Sequence, residues 1–272
     1  MPVDHYENFP VASILLPKYL RRPVEVIYRF ARQADDFADE GDAPDETRLA
    51  QLDGFRAELN RIAAAEAPQT PLFSELQKII AEHELPIQLL HDLLDAFTQD
   101  VTKKRYANFD EVLDYCRRSA NPVGRLLLHL YQDATPRNLE YSDAICTALQ
   151  LINFWQDIAK DYAINRIYLP QDDMAKFSVT EQHIAGRNAD ARWRDLLRFE
   201  TDRASELLRA GLPLGSILTG RIGLEMRMII AGGDRILHKL RAANFDVFDR
   251  RPVLRAHDWV IMLFNSAPFQ RL

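Results

Sequence analysis

The sequence predicts an all-helical, single-domain bundle over residues 1–272. Three observations carry that prediction. Apolar residues recur at three- and four-residue spacing through most of the chain. No segment sustains the alternation of a half-buried strand. Prolines and short polar clusters cut the helix-period stretches into bundle-sized lengths.

Taken in order, Pro23 precedes a helix running to about Glu40, with Gly41 as its stop and Gly41–Thr47 as a loop. Leu49–Ala65 is a helix ended by the Pro68/Pro71 region. Leu72–Glu84 and Pro86–Val101 follow, Pro86 suiting a first-turn position. Asn108 or Asp110 caps a helix to Ser119, and another follows Pro122. Tyr141–Tyr162 is long and apolar nearly all round, the mark of a buried helix. Thr180–Gly186, Asp190–Arg209, Ile217–Leu240 and Val253–Phe264 complete the set. The glycines Gly220, Gly223, Gly232 and Gly233 read as sites of close packing or kinks.

Composition excludes several classes. A net charge of −6 gives no electrostatic footprint for nucleic acid. Two cysteines, Cys116 and Cys146, make no disulfide framework and fit a reducing cytoplasm. Met1–Asn8 lacks a basic start followed by an apolar run, so no signal peptide is read. The longest apolar stretches, such as Trp259–Phe264, are too short to span a bilayer.

Two acidic stripes carry the chemistry. In the first helix Tyr28, Arg32, Asp35 and Asp39 are spaced by four, three and four residues and so share one face, flanked by Asp36 and Glu40. In Tyr141–Tyr162 the residues Gln150, Asn153, Asp157 and Asp161 share a face by the same rule. Carboxylates in an apolar helix need compensation, because burying them unpaired costs several kcal/mol or more. Two such stripes facing each other across a bundle core form a metal site. No Glu-x-x-His pair accompanies them, and a hard, oxygen-liganded cation fits best, namely Mg²⁺ held by a few carboxylates and substrate phosphates. The bland alternatives are a solvated acidic helix end at Asp35–Glu40 and an Arg32 that merely pairs with Asp35 or Asp36 on its own helix.

At these residues the sequence resembles the squalene/phytoene synthase family. Tyr28-Arg29-Phe30-Ala31-Arg32-Gln33-Ala34-Asp35-Asp36-Phe37-Ala38-Asp39-Glu40 is similar to its first aspartate-rich motif. Gln150 to Asn153, Gln156-Asp157, Asp161-Tyr162 and Arg166-Ile167-Tyr168-Leu169-Pro170 are similar to its second, and Tyr115-Cys116 and Val123-Gly124 to a middle block. Glu7-Asn8-Phe9-Pro10-Val11-Ala12-Ser13 and Arg117 to Gly124 resemble the hydroxysqualene synthase branch of bacterial hopanoid pathways. Three departures from the wider family pattern stand out: Gln156 where many members have Arg, Ser119-Ala120-Asn121-Pro122-Val123-Gly124 in the middle block, and no Tyr near Gly233-Asp234.

The resemblance implies a class I isoprenoid synthase bundle with a central active-site cavity. It implies a lyase or transferase that ionises presqualene diphosphate with Mg²⁺ and captures the cation with water, without NADPH. Asp35, Asp39, Asp157 and Asp161 match the metal-bridging aspartates. Arg32 and Arg166 match diphosphate-facing arginines, Gln150 and Asn153 polar pocket residues, and Tyr28, Tyr115 and Tyr168 pocket tyrosines. Gln156 and Asn121 are candidates for placing the water, and Tyr115, Tyr168 and Phe30 for facing the cation. Hand-over of substrate from a presqualene diphosphate synthase and transient contact with the inner face of a membrane are further expectations. The alternatives are a sister synthase that condenses two prenyl diphosphates and a non-catalytic relative serving as an assembly factor.

Overall fold

The computed structural model describes residues 16–265. The Glu7–Ser13 block therefore lies outside the described residues. Thirteen helices and no strand are found among the described residues, in keeping with the all-helical expectation.

The first half is built from α1 (Lys18–Asp39), α2 (Asp45–Ala63), α3 (Pro71–His83) and α4 (Gln88–Thr102). α1 starts before Pro23, not after it. The proline denies a hydrogen bond only to the carbonyl of Tyr19, at the helix's open end, where Tyr19 is 69% exposed. α2 begins earlier than expected because Pro44 sets the entry and Asp45 and Glu46 favour the first turn. α3 is started by Thr70, which accepts from the Phe73 amide, with Pro71 in the first turn.

The second half comprises α5 (Phe109–Ser119), α6 (Asn121–Leu130), α7 (Pro136–Ala163), α8 (Gln171–Lys176), α9 (Glu181–Ala185), α10 (Ala191–Gly211), α11 (Leu214–Ile217), α12 (Gly220–Ala242) and α13 (Ala256–Asn265). Asn108 caps α5 through the Glu111 amide at 3.0 Å. α7 starts five residues before the apolar run, where Thr135 caps and Pro136 follows. α8 was not expected at all; it is one short turn pair launched by Pro170. The expected helix Ile217–Leu240 is found as α12, which starts three residues later, where Gly220 takes φ +60, a left-handed conformation that favours glycine and separates it from the short α11. At Gly233 the reason is space instead: a Cβ would lie 2.8 Å from a Leu149 methyl of α7.

Two buried clusters result. One gathers the inward faces of α1 to α4. The other surrounds α7, which packs most extensively on α10 and α6. Ile222 and Tyr131 touch both clusters. Phe30 is fully buried in the first one, against Phe55 and Phe73. It thus lies in the N-terminal core, away from the cleft where a cation-facing ring was expected. Both cysteines are free thiols.

One local pairing positions the site. The chain after α4 meets the chain after α7 in a single parallel bridge, Arg105 to Ile167, with the Ile167 amide donating to the Lys104 carbonyl at 3.0 Å. That bridge fixes Arg166 and Tyr168 beside the end of α4. No described helix is long and apolar enough to cross a membrane.

Candidate active site

The two acidic stripes converge. Arg166, just beyond α7, reaches across to α1 and donates from Nη1 and Nη2 to the two oxygens of Asp39 at 3.1 and 2.7 Å. Asp161 on α7 also lies close enough to Asp39 for its titration to respond to it. Residues separated by more than a hundred positions thus share one cleft.

Each stripe holds one aspartate gripped at both oxygens by an arginine from elsewhere in the chain, and one without such a two-pronged hold. On α1 Asp39 is held by Arg166. On α7 Asp157 is held by Arg251, whose Nε and Nη2 donate at 2.5 and 2.8 Å, with Lys160 at 3.3 Å. Asp161 is pushed up to about 8, by burial first and then by Asp157 and Asp39, against the pull of Arg166. Asp35 is pushed up to about 7 by burial and by Asp39, against Arg32. Both therefore favour the protonated form, and ionise fully near neutral pH only when another cation balances the charge.

Arg32 spends its guanidinium on its own helix turn, on Asp35 at 3.1 Å, Asp36 at 2.7 Å and Glu40 at 2.5 Å. That is the self-pairing alternative raised from the sequence. Tyr28 and Gln150 are half-buried and Asn153 is exposed, so the second stripe opens toward solvent instead of lying sealed in the core. Gln156 is 1% exposed and donates from Nε2 to the Pro252 carbonyl at 2.6 Å. Asn121 is buried too and accepts from the Thr147 hydroxyl at 2.9 Å. Both candidates for placing a water are thus engaged inside the protein.

Tyr115 and Tyr168 are brought together in a buried aromatic group with Tyr106 and Phe154. Phe154 lies flat on Tyr168, centroids 3.6 Å apart and planes within 8°. Both tyrosine hydroxyls donate to Asp100, at 2.7 and 3.0 Å.

Asp100 and Arg251 were missed from the sequence. Asp100 sits in α4 outside any acidic stripe. Arg251 belongs to the strap between α12 and α13, whose residues are fastened repeatedly. Trp193 Nε1 donates to the Phe245 carbonyl at 3.0 Å, and Lys239 donates to the Val253 carbonyl at 2.7 Å. Arg235 and Lys239 both pair with the fully buried Asp258. The only sequence signal was a pair of adjacent arginines, Arg250-Arg251, in a polar segment.

The donor set suits a hard cation shared with a phosphate ligand. No three of the described His, Cys, Asp and Glu side chains are grouped to hold a metal by themselves. Magnesium does not require such a group, since it commonly takes one or two carboxylates and completes its shell with water and phosphate oxygens. Among the described residues the buried Nε of Arg166 lacks a hydrogen-bond partner, leaving a donor for a ligand to satisfy.

The squalene/phytoene synthase family model matches residues 3–258. Hydroxysqualene synthase from Rhodopseudomonas palustris is 36% identical over 262 residues, 96% of this chain and 87% of the relative. That from Zymomonas mobilis is 38% identical over 228 residues, 82% and 75% of the two chains. The crystal structure of squalene synthase HpnC from Alicyclobacillus acidocaldarius superposes with a TM-score of 0.82 at 38% identity, covering 90% of this chain and 91% of that one. With its paired acidic helices and this kinship along nearly its whole length, the chain belongs to the squalene/phytoene synthase family.

Proposed function

We propose that the protein is a hydroxysqualene synthase, converting presqualene diphosphate and water to hydroxysqualene, diphosphate and a proton. The observation that carries the reading is the meeting of Asp39 and Asp161 from two helices across Arg166. The hydroxysqualene synthases among the relatives narrow it to this product. Residues 1–272 are read as one domain.

Asp35 and Asp39 on one side and Asp157 and Asp161 on the other would hold Mg²⁺. The ion would neutralise the diphosphate and draw off its charge as the C–O bond breaks. Arg166 adds charge-assisted hydrogen bonds to the leaving oxygens, and Arg32 can join it only by giving up its pairs with Asp35, Asp36 and Glu40. Arg166 is suited to this by its forked donors and by its position between the stripes. The electron pair of the C–O bond leaves with the diphosphate, and the cyclopropylcarbinyl cation rearranges beside the aromatic group. Water bonds to the rearranged cation and loses a proton. No hydride is delivered, so no nicotinamide is required. A presqualene diphosphate synthase would supply the substrate, at the inner surface of a membrane.

The test is a pair of incubations with Mg²⁺, one with farnesyl diphosphate and one with presqualene diphosphate, products identified by mass spectrometry. Hydroxysqualene from presqualene diphosphate alone is expected. A condensed product from farnesyl diphosphate alone would assign a sister synthase instead. Asp157→Asn should abolish diphosphate release with the fold intact.

A further inference from the structure

Asp100 has no ion-pair partner on its own helix and belongs to neither acidic stripe, yet it is 4% exposed near the end of α4. Both of its oxygens are occupied. Oδ2 accepts from Tyr115 at 2.7 Å and Oδ1 from Tyr168 at 3.0 Å. Arg166 Nη1 stands 3.9 Å from Oδ1, and Arg166 Nη2 donates to the Asp100 backbone carbonyl at 3.1 Å. Arg166 Nη1 also donates to the Tyr168 hydroxyl at 3.3 Å. The same guanidinium grips Asp39 on α1. Asp100 is therefore the point at which α1, α4, α5 and the segment after α7 are joined by polar contacts.

Stability alone is a poor reason to keep a carboxylate there, since well-packed apolar residues serve a core at least as well as buried ion pairs. Its geometry has a specific consequence. Each phenol has one proton, and both protons point at Asp100. Tyr168 in addition accepts from Arg166. The two hydroxyls therefore have no proton to offer elsewhere, and toward any other neighbour they present ring carbon and oxygen lone pairs only.

We propose that Asp100 is a positioning residue of this site, setting Tyr115 and Tyr168 as oriented, non-acidic walls and bracing Arg166 against Asp39. The inference rests on the reading of the cleft as a diphosphate-ionising site and extends it to the network behind the cleft. A carbocation beside these rings meets no acidic phenol proton, and the arginine that faces the leaving group is held in place before substrate arrives. The network acts through the tyrosines and Arg166, without Asp100 touching the reacting carbon.

Asp100→Asn keeps the size, removes the charge and turns an amide N–H₂ toward one of the phenols. With presqualene diphosphate and Mg²⁺, kcat should fall by roughly thirtyfold, as for the loss of one buried hydrogen bond to a charged group and the weakening of the other, while KM stays within about threefold. Adding Tyr168→Phe to Asp100→Asn should cost much less than the product of the single losses, because the two residues act in one network. Ultraviolet Raman spectra of the protein without metal or substrate give a second readout. The tyrosine doublet should move away from the strong-donor pattern in Asp100→Asn, and Asp100→Glu should restore part of it. An unchanged doublet, a kcat within about threefold of wild type, or fully multiplicative losses would each overturn the proposal. If Asp100→Asn lacks a cooperative melting transition, Tyr115→Phe and Tyr168→Phe decide instead: each should remove one strong-donor component from the doublet, and an unaltered donor pattern overturns it. A wild-type protein inert toward every prenyl diphosphate would sink the functional reading, whereas the Raman result judges Asp100 independently.

Discussion

Arg251 grips Asp157 from 94 residues away, donating from Nε and Nη2 to the two oxygens of one carboxylate at 2.5 and 2.8 Å. The strap that carries Arg251 is bonded to the same helix one residue earlier, through Gln156 and the Pro252 carbonyl. A cation is thus already seated where the proposed metal would bind, and entry of the ion has to displace it. Arg251→Gln should therefore tighten binding of Mg²⁺ alone by roughly tenfold or more. A charge about 4 Å away contributes roughly 4 kcal/mol near a protein surface, and tenfold needs only about 1.4 kcal/mol. The same variant should melt lower without Mg²⁺ and recover when the ion is added. Calorimetric titration and thermal melts check both; unchanged metal affinity would show that Arg251 does not compete.

Asp35 and Asp161 link metal binding to protons. Their carboxyls are raised to about 7 and about 8, so at pH 7 Asp161 is mostly protonated and Asp35 about half. A bound cation requires them ionised, so Mg²⁺ binding at pH 7 should release on the order of one proton per protein. At pH 9, above both values, the release should vanish. Calorimetry in buffers of different ionisation heat measures the proton count directly.

Glu200 sets a stability trend unrelated to catalysis. It is 0% exposed, and burial together with Asp173 raises it to about 8, against Arg203. The folded value exceeds the unfolded one, so the folded chain holds the extra proton between about pH 4.5 and pH 8. Its contribution is complete below pH 4.5 and is lost as pH rises through 8. Glu200→Gln should match the parent near pH 4 and exceed it in stability by several kcal/mol near pH 9. Urea melts across this range test the sign; a variant less stable at pH 9 than the parent contradicts it.

Gly211 ends the helix that packs most extensively on α7. A Cβ there would stand 2.3 Å from Ile145 Cγ1 and 2.8 Å from the Tyr141 carbonyl. The carbonyl is backbone and yields little. Gly211→Ala should destabilise by about 1–3 kcal/mol and reduce activity by tilting the helix that carries Asp157 and Asp161. Gly54→Ala, where nothing lies within 4 Å, is the matched control and should not destabilise.

The helices and both acidic stripes were legible because their signals are local. Spacings of four, three and four residues place Tyr28, Arg32, Asp35 and Asp39 on one face whatever the rest of the chain does. The cap Asn108 works within three residues of the amide it accepts from, whereas Thr135, equally local, stays hidden in the sequence because the apolar run begins only at Tyr141. The network around the stripes was not legible. Asp100 meets Tyr168 across 68 residues and Arg166 meets Asp39 across 127, and no spacing rule reaches that far. Gln156 was assigned to the pocket because it departs from its relatives. Its helix neighbour Asp157 faces the cleft, and a step of one residue turns Gln156 about 100° away, onto the strap. Phe30 misled for the same reason: two residues from Arg32 on α1, it falls on the inward face.

The sequence separations of the two ion pairs have a consequence for biosynthesis. As a ribosome releases the chain, α1 emerges 127 residues ahead of Arg166, and Asp157 emerges 94 residues ahead of Arg251. Until those arginines emerge, Asp39 and Asp157 lack the guanidinium each is paired with in the folded chain, and hydration is the cheaper state for their carboxylates. The Asp39 pair can form once Arg166 is made, whereas the Asp157 pair must wait for the strap. A nascent chain halted short of residue 251 would leave Asp157 without that arginine, so the Arg251–Asp157 pair doubles as a record that synthesis has passed that point.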